Sequence, residues 1–186
     1  MLYAQVHLTL PAWVHDLAPA GSVYASDEDK MRLAIELSRR NVDARSGGPF
    51  GAAVFDAQHR LVAVGVNRVE PHTCSVAHAE MMAYMTAQQR LQRFRLNEDA
   101  PGVTLATSSQ PCCMCYGATF WAGIDTLLIG ARAEDVMTLT QFDEGPLPAD
   151  WKGELEKRGI SVRRDLLREE ACAVLKHYTD SAGRMY

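Results

Sequence analysis

Apolar residues at helical spacing first gather after Ser26, where Met31, Ala34, Ile35 and Leu37 predict one buried face of a helix capped by Ser26 or Asp27. Arg45-Ser46-Gly47-Gly48-Pro49 ends it, since glycine and proline interrupt regular backbone. Short apolar runs from Ala52 to Phe55 and from Leu61 to Val66 predict two strands joined by the polar turn Asp56 to Arg60. Strong helix formers fill Glu80 to about Leu91, with Met81, Met82, Met85 and Leu91 offering apolar contacts. Val103 to Thr107 reads as a third strand. Pro111 then opens a helix reaching about Ala122, because proline is tolerated in a first turn. Leu127-Leu128-Ile129 and Ile160-Ser161-Val162 are two further strands, the second followed by a helix from Leu166 to about Tyr178. This alternation predicts an α/β domain whose sheet carries helices on both faces.

Two segments fall outside that frame. Met1 to Ala25 holds Leu10, Trp13 and Leu17, enough apolar material to pack onto a body, but no chemical constellation. Residues 1–26 are therefore expected to be an N-terminal extension packed on a core domain of residues 27–186. Thr138 to Trp151, with Phe142-Asp143-Glu144-Gly145-Pro146-Leu147-Pro148, cannot be one continuous helix and is expected to be a loop.

Chemistry concentrates in two short motifs. His78-Ala79-Glu80 lies some thirty residues before Pro111-Cys112-Cys113-Met114-Cys115. One imidazole and two thiolates can hold a zinc ion while leaving its fourth position to water. Cys112 and Cys115, three apart at a helix start, share a face, and the unpaired N–H groups of that first turn favour thiolates. Glu80, two residues past the histidine, suits a proton carrier. A closed structural zinc site would need Cys74, Cys113 or another histidine as a fourth ligand, and none has convincing spacing. Neither that reading nor a thiol–disulfide function gives Glu80 a task.

Composition narrows the setting. The chain of 186 residues carries 19 basic and 23 acidic residues, a formal charge of -4. Its length suits a single core. No apolar stretch is long enough to span a membrane. No basic segment precedes an apolar signal core at the N-terminus, so export is not expected. Five cysteines form no even disulfide framework and fit a reducing cytoplasm.

From Asp27 to Lys176 the sequence resembles the cytidine and deoxycytidylate deaminase superfamily, within it the purine branch of bacterial guanine deaminases and tRNA adenosine deaminases. The resemblance rests on H-x-E with P-C-x-M-C, on Gly51-Ala52-Ala53-Val54 as first strand and on Val64-Gly65-Val66-Asn67 closing the second. It implies a three-layer α/β/α fold around a central five-stranded mixed sheet. It also implies zinc on His78, Cys112 and Cys115, proton shuttling by Glu80, and base contacts from Asn67 and Ala79. A second acidic residue of the family engages the purine; Glu144 is the positional candidate, as both catalytic and substrate-binding group, with Asp143 the fallback. Gln110 departs from the glutamate that many relatives carry before Pro-Cys.

Guanine, deaminated to xanthine and ammonia, is the expected substrate, with related amino-triazines as side substrates. The alternatives are tRNA adenosine editing, cytosine-type deamination and a non-catalytic zinc-stabilised interaction protein. Arg90, Arg93 and Arg95, and Arg163, Arg164 and Arg168, form basic clusters, but these are interrupted and lack stacking aromatics, so a nucleic-acid partner is not expected. The family commonly dimerises, and Phe120 and Trp121 could serve a homodimer interface or the core.

Overall fold

A computed structural model of the chain describes residues 5–17 and 19–186; residues 1–4 and 18 of the expected N-terminal extension lie outside it. After the short α1 (Val14–Leu17) come α2 (Asp27–Asp43), β1 (Gly51–Phe55), β2 (Leu61–Val66), α3 (Val69–His72) and α4 (Ala79–Leu91). The second half runs β3 (Thr104–Ser109), α5 (Cys113–Ala122), β4 (Thr126–Ala131), α6 (Ala133–Thr140), α7 (Trp151–Glu156), β5 (Ser161–Arg163) and α8 (Arg168–Asp180).

The five strands form one mixed sheet in the order β2-β1-β3-β4-β5. β1 is antiparallel to both β2 and β3, so Ala53 sits opposite Val64 on one side and Ala106 on the other. β3, β4 and β5 run parallel. Every residue of β1, β2 and β3 is buried, as a sheet covered on both faces requires. One core unites α2 and α8 with Phe55, Val64 and Leu128; the other joins α4 to Val54, Leu105 and Leu127. The fold is thus the expected three-layer α/β/α arrangement around a five-stranded mixed sheet.

Glycines bring the layers close where the site is built. A Cβ on Gly65 would lie 2.0 Å from the carbonyl oxygen of Ala79, so the first turn of α4 rests directly on β2. Near the N-terminus, Val14 is buried in the α2–α8 core, and Trp13 donates to Ser46 Oγ at 3.2 Å.

Several element ends differ from the pattern-based expectation. The second motif helix starts at Cys113, because Pro111 and the extended Cys112 (φ -63°, ψ 173°) precede it. The terminal helix starts at Arg168, because Leu167 is left-handed at φ 50°. Two short helices, α6 and α7, interrupt what reads as a loop-rich stretch. α6 is fixed at its start by Asp135, whose carboxylate accepts from the Arg132 N–H at 2.8 Å. Residues 141–150 between them are without helix or strand.

Candidate active site

The two motifs meet because α4 and α5 begin at the same place. His78 is the N-cap of α4 and Cys112 the N-cap of α5, both extended, and neither side chain caps its own helix. Both are therefore free to ligate. Their donor atoms and that of Cys115 lie within 4.8 Å of one another, and His78 Nδ1 is 3.5 Å from Cys112 Sγ. Among the described residues this is the sole such cluster, and neither Cys74 nor Cys113 joins it.

The electrostatics of the three groups are tightly coupled. Hydrogen bonding to Cys115 and His78 pulls the Cys112 thiol down to about 4, while the same bond and burial push Cys115 well up. The two sulfurs thus stand close enough for each to shift the other's ionisation strongly. Burial would lower the His78 pKa, but its hydrogen bond to Cys112 and the charge of Glu80 raise it overall. Two sulfurs and one imidazole nitrogen brought together are a donor set that fits a divalent zinc ion. Three protein ligands with no fourth match an open rather than a closed zinc site.

A cavity of about 430 Å³ opens beside the cluster, with His78, Cys112, Glu80, Gln110 and Glu144 in its walls. Glu80, on the first turn of α4, is buried; desolvation and then the Cys112 thiolate raise its pKa to about 7. Glu144 comes from the loop before α7 and is 8 % exposed, whereas Asp143, also at the cavity, is exposed. Desolvation, Cys112 and Glu80 push the Glu144 carboxyl to about 8. Asp143 is engaged locally, its Oδ1 accepting from the Gly145 N–H at 2.8 Å.

Asn67 follows β2 and is fully buried. Its Oδ1 accepts from the backbone N–H groups of Val69 (3.2 Å) and Gly48 (3.4 Å), leaving Nδ2 unpaired. Only the donor end of this amide is thus free, although its type could both donate and accept. Asn67 and Ala79, both expected to contact the base, are fully buried and do not line the cavity; Asn67 is instead bonded to Phe50 and Val69, which do. Sequence reasoning missed part of the wall: Phe50, Arg184 and Tyr186 line it, with Phe142 and Tyr186 in contact at 4.8 Å between ring centroids. Arg184 also pairs with Glu70 at 3.2 Å. No short-range pattern marks these residues, which sit far from the motifs in the chain.

A partly buried His–Cys–Cys cluster with a carboxylate beside it, on a mixed sheet within a three-layer fold, is the arrangement of a zinc-dependent deaminase. The chain belongs to the family described as the cytidine and deoxycytidylate deaminase zinc-binding region, whose model matches residues 24–131. It is similar to the solved guanine deaminase from Nitrosomonas europaea, with a TM-score of 0.91 and 42 % identity over 97 % of this chain and 99 % of that one. Two solved variants bound to 8-azaguanine, one with alanine for an asparagine and one with aspartate for a glutamate, are 43 % and 42 % identical, with TM-scores of 0.90 and 0.91. They cover 95 % and 97 % of this chain, and it covers 98 % and 100 % of them. The guanine deaminase of Bacillus subtilis is 33 % identical over 76 % of this chain and 87 % of its own length.

Proposed function

We propose that this protein is a zinc-dependent guanine deaminase, which adds water to guanine and releases ammonia, leaving xanthine. The observation that carries this reading is the meeting of the His78–Cys112–Cys115 cluster, Glu80 and Glu144 around one cavity. Near full-length similarity to a guanine deaminase supports the substrate. The asparagine and glutamate altered in the 8-azaguanine complexes are also separated by the same interval as Asn67 and Glu144.

When bound, zinc would supply a Lewis acid that makes water nucleophilic near neutral pH. His78, Cys112 and Cys115 hold it. Glu80, buried with its pKa raised to about 7, takes one proton from water and passes it to a ring nitrogen, then takes the second from the added hydroxyl and delivers it to the departing amine, which leaves as ammonia. Glu144, ionised once the zinc charge offsets the thiolates, accepts a hydrogen bond from the ring N–H beside the amine, which guanine has and adenine lacks. Asn67, held by Gly48 and Val69, has an unpaired Nδ2 as the donor it could offer a purine acceptor once the neighbouring Phe50 and Val69 wall gives way. Amino-triazines with a similar edge fit as side substrates.

The arginines of both basic clusters are engaged within the molecule. Arg90 donates to the Val62 carbonyl, Arg93 pairs with Asp99, Arg163 with Asp27 and Arg168 with Asp135. Arg95 and Arg164 lie over the rings of Phe120 and Trp151. That favours a free nucleobase over a polynucleotide. All five cysteines are free, in keeping with a reducing cytoplasm, and no described helix is long and apolar enough to cross a membrane. Phe120 packs on the α4-side core, but Trp121 is 72 % exposed beside Met85, and we assign that face to a homodimer. Light scattering at micromolar concentration should give twice the chain mass; a monomer removes this assignment.

The test of function is a panel of guanine, adenine, cytosine, cytidine and tRNA with zinc-loaded protein. Guanine should yield ammonia and the xanthine spectrum. Ammonia from tRNA or cytosine instead transfers the site to another branch of the family, and ammonia from none of them favours a non-catalytic zinc protein.

A further inference from the structure

Residues 5–17 carry no chemical motif, yet their polar contacts converge on the segments that build one wall of the cavity. Trp13 packs on the α2–α8 core and donates from Nε1 to Ser46 Oγ at 3.2 Å. Ser46 passes the contact on, its hydroxyl donating to Asn41 Oδ1 at 2.7 Å. Asn41, fully buried on α2, donates both N–H bonds of its amide, to the Gly48 carbonyl at 2.8 Å and the Asn67 carbonyl at 2.9 Å. A second line starts at Thr9, whose carbonyl accepts from Arg68 Nε at 3.1 Å and whose N–H donates to His72 Nε2 at 3.1 Å. Arg68 also donates to the Ser46 carbonyl, which joins the two lines. The fit is close, since a Cβ on Gly47 would stand 1.9 Å from the Asn67 carbonyl oxygen.

We propose that the N-terminal extension is a brace for the substrate cavity, with Trp13 a positioning residue that acts through Ser46 and Asn41. The segments it holds carry the wall: Phe50 follows Gly48, while Val69, Glu70, Thr73 and Cys74 follow Asn67 and Arg68, and all five line the cavity. None of these bonds reaches His78, Cys112 or Cys115. The inference rests on the guanine deaminase reading for its ligand and gives the extension a task in it. A buried amide with its oxygen and both N–H bonds engaged fixes the groups around it. A wall held before the ring arrives spares the complex the cost of ordering it. Loss of the brace should therefore weaken binding of the ring and leave the chemistry at Glu80 and the metal ligands intact.

Trp13→Phe keeps an aromatic ring on the core but deletes the Nε1 donor, and Ser46→Ala deletes the hydroxyl that joins Trp13 to Asn41. Hydrogen exchange of the zinc-loaded, ligand-free protein reads the brace without any substrate. In Trp13→Phe the amides of residues 46–50 and 67–74 should exchange at least about fivefold faster, with those of α5 unchanged. Kinetics with guanine read the consequence: KM should rise roughly threefold to tenfold in either variant, with kcat within about twofold of wild type. The double variant should be no worse than Ser46→Ala alone, because both changes cut the same line. Unchanged exchange in the wall, an unchanged KM, or additive effects in the double variant overturns the proposal and leaves Trp13 a packing residue. Wild type that releases no ammonia from guanine overturns the substrate reading instead, and the exchange measurement still decides the brace.

Discussion

The backbone N–H of Cys113 donates to the carbonyl of Glu144 at 2.9 Å, tying the loop that carries the second carboxylate to the first turn of the helix that carries both ligand thiols. Gly145 completes the joint. At φ 68° it favours glycine, and a Cβ there would stand 2.6 Å from Cys113 Sγ. The metal-ligand cluster and the Glu144 carboxylate are therefore linked by a direct local contact.

Substituting Gly145 should disturb chemistry through Glu144. Gly145→Ala should lower kcat/KM for guanine by roughly tenfold to hundredfold, since small misplacements of a positioning group are expensive. Zinc content should not change. Adding Cys113→Ala removes the nearest obstructing atom and should restore a large part of the loss. Full activity in Gly145→Ala would show that the joint does not position Glu144.

Metal analysis should find about one zinc per chain. Chelation, or Cys115→Ala, should remove it and lower Tm by about 5–10 °C, because the folded state binds what the unfolded chain holds poorly. Retention of stoichiometric zinc by Cys115→Ala would place the ligand set elsewhere.

Glu80→Gln preserves size but cannot carry a proton. Turnover should drop by about 10²–10⁴-fold with zinc retained. A variant with near-normal turnover would assign the proton transfer to another group.

Burial of Glu144 has a pH signature in the metal-free protein. Its carboxyl rises from 4.5 to about 8, so between those values the folded state holds a proton that the unfolded state has lost. Its contribution to stability is full below 4.5 and is lost as pH climbs toward 8. Glu144→Gln removes that slope. Urea unfolding from pH 5 to 8.5 should show wild type losing up to a few kcal/mol relative to the variant as pH rises. Parallel curves would mean that Glu144 is solvated.

Much of the site was legible because its parts are local. His78 and Glu80 are two residues apart, Cys112 and Cys115 three, and the helix starts that present them are marked by Pro111 and by strong helix formers after His78. The strands were legible from short apolar runs such as Val64-Gly65-Val66. Helix α7 was not, since six residues carry too little periodicity to register. α6 was missed in a stretch whose later glycine and prolines dominate the reading. Tyr186 reaches the cavity only through tertiary packing against Phe142, which no spacing encodes. The free donor of Asn67 depended on knowing that Val69 and Gly48 occupy its oxygen.

The most direct measurement is kcat/KM for guanine in zinc-loaded wild type and in Glu144→Gln, with metal content determined on both. Wild type should convert guanine to xanthine and ammonia, while the variant keeps its fold and zinc but loses on the order of a hundredfold or more in kcat/KM. Equal performance would contradict a role for Glu144 in the site. A wild type that ignores guanine and deaminates tRNA would contradict the substrate, leaving only the zinc chemistry standing.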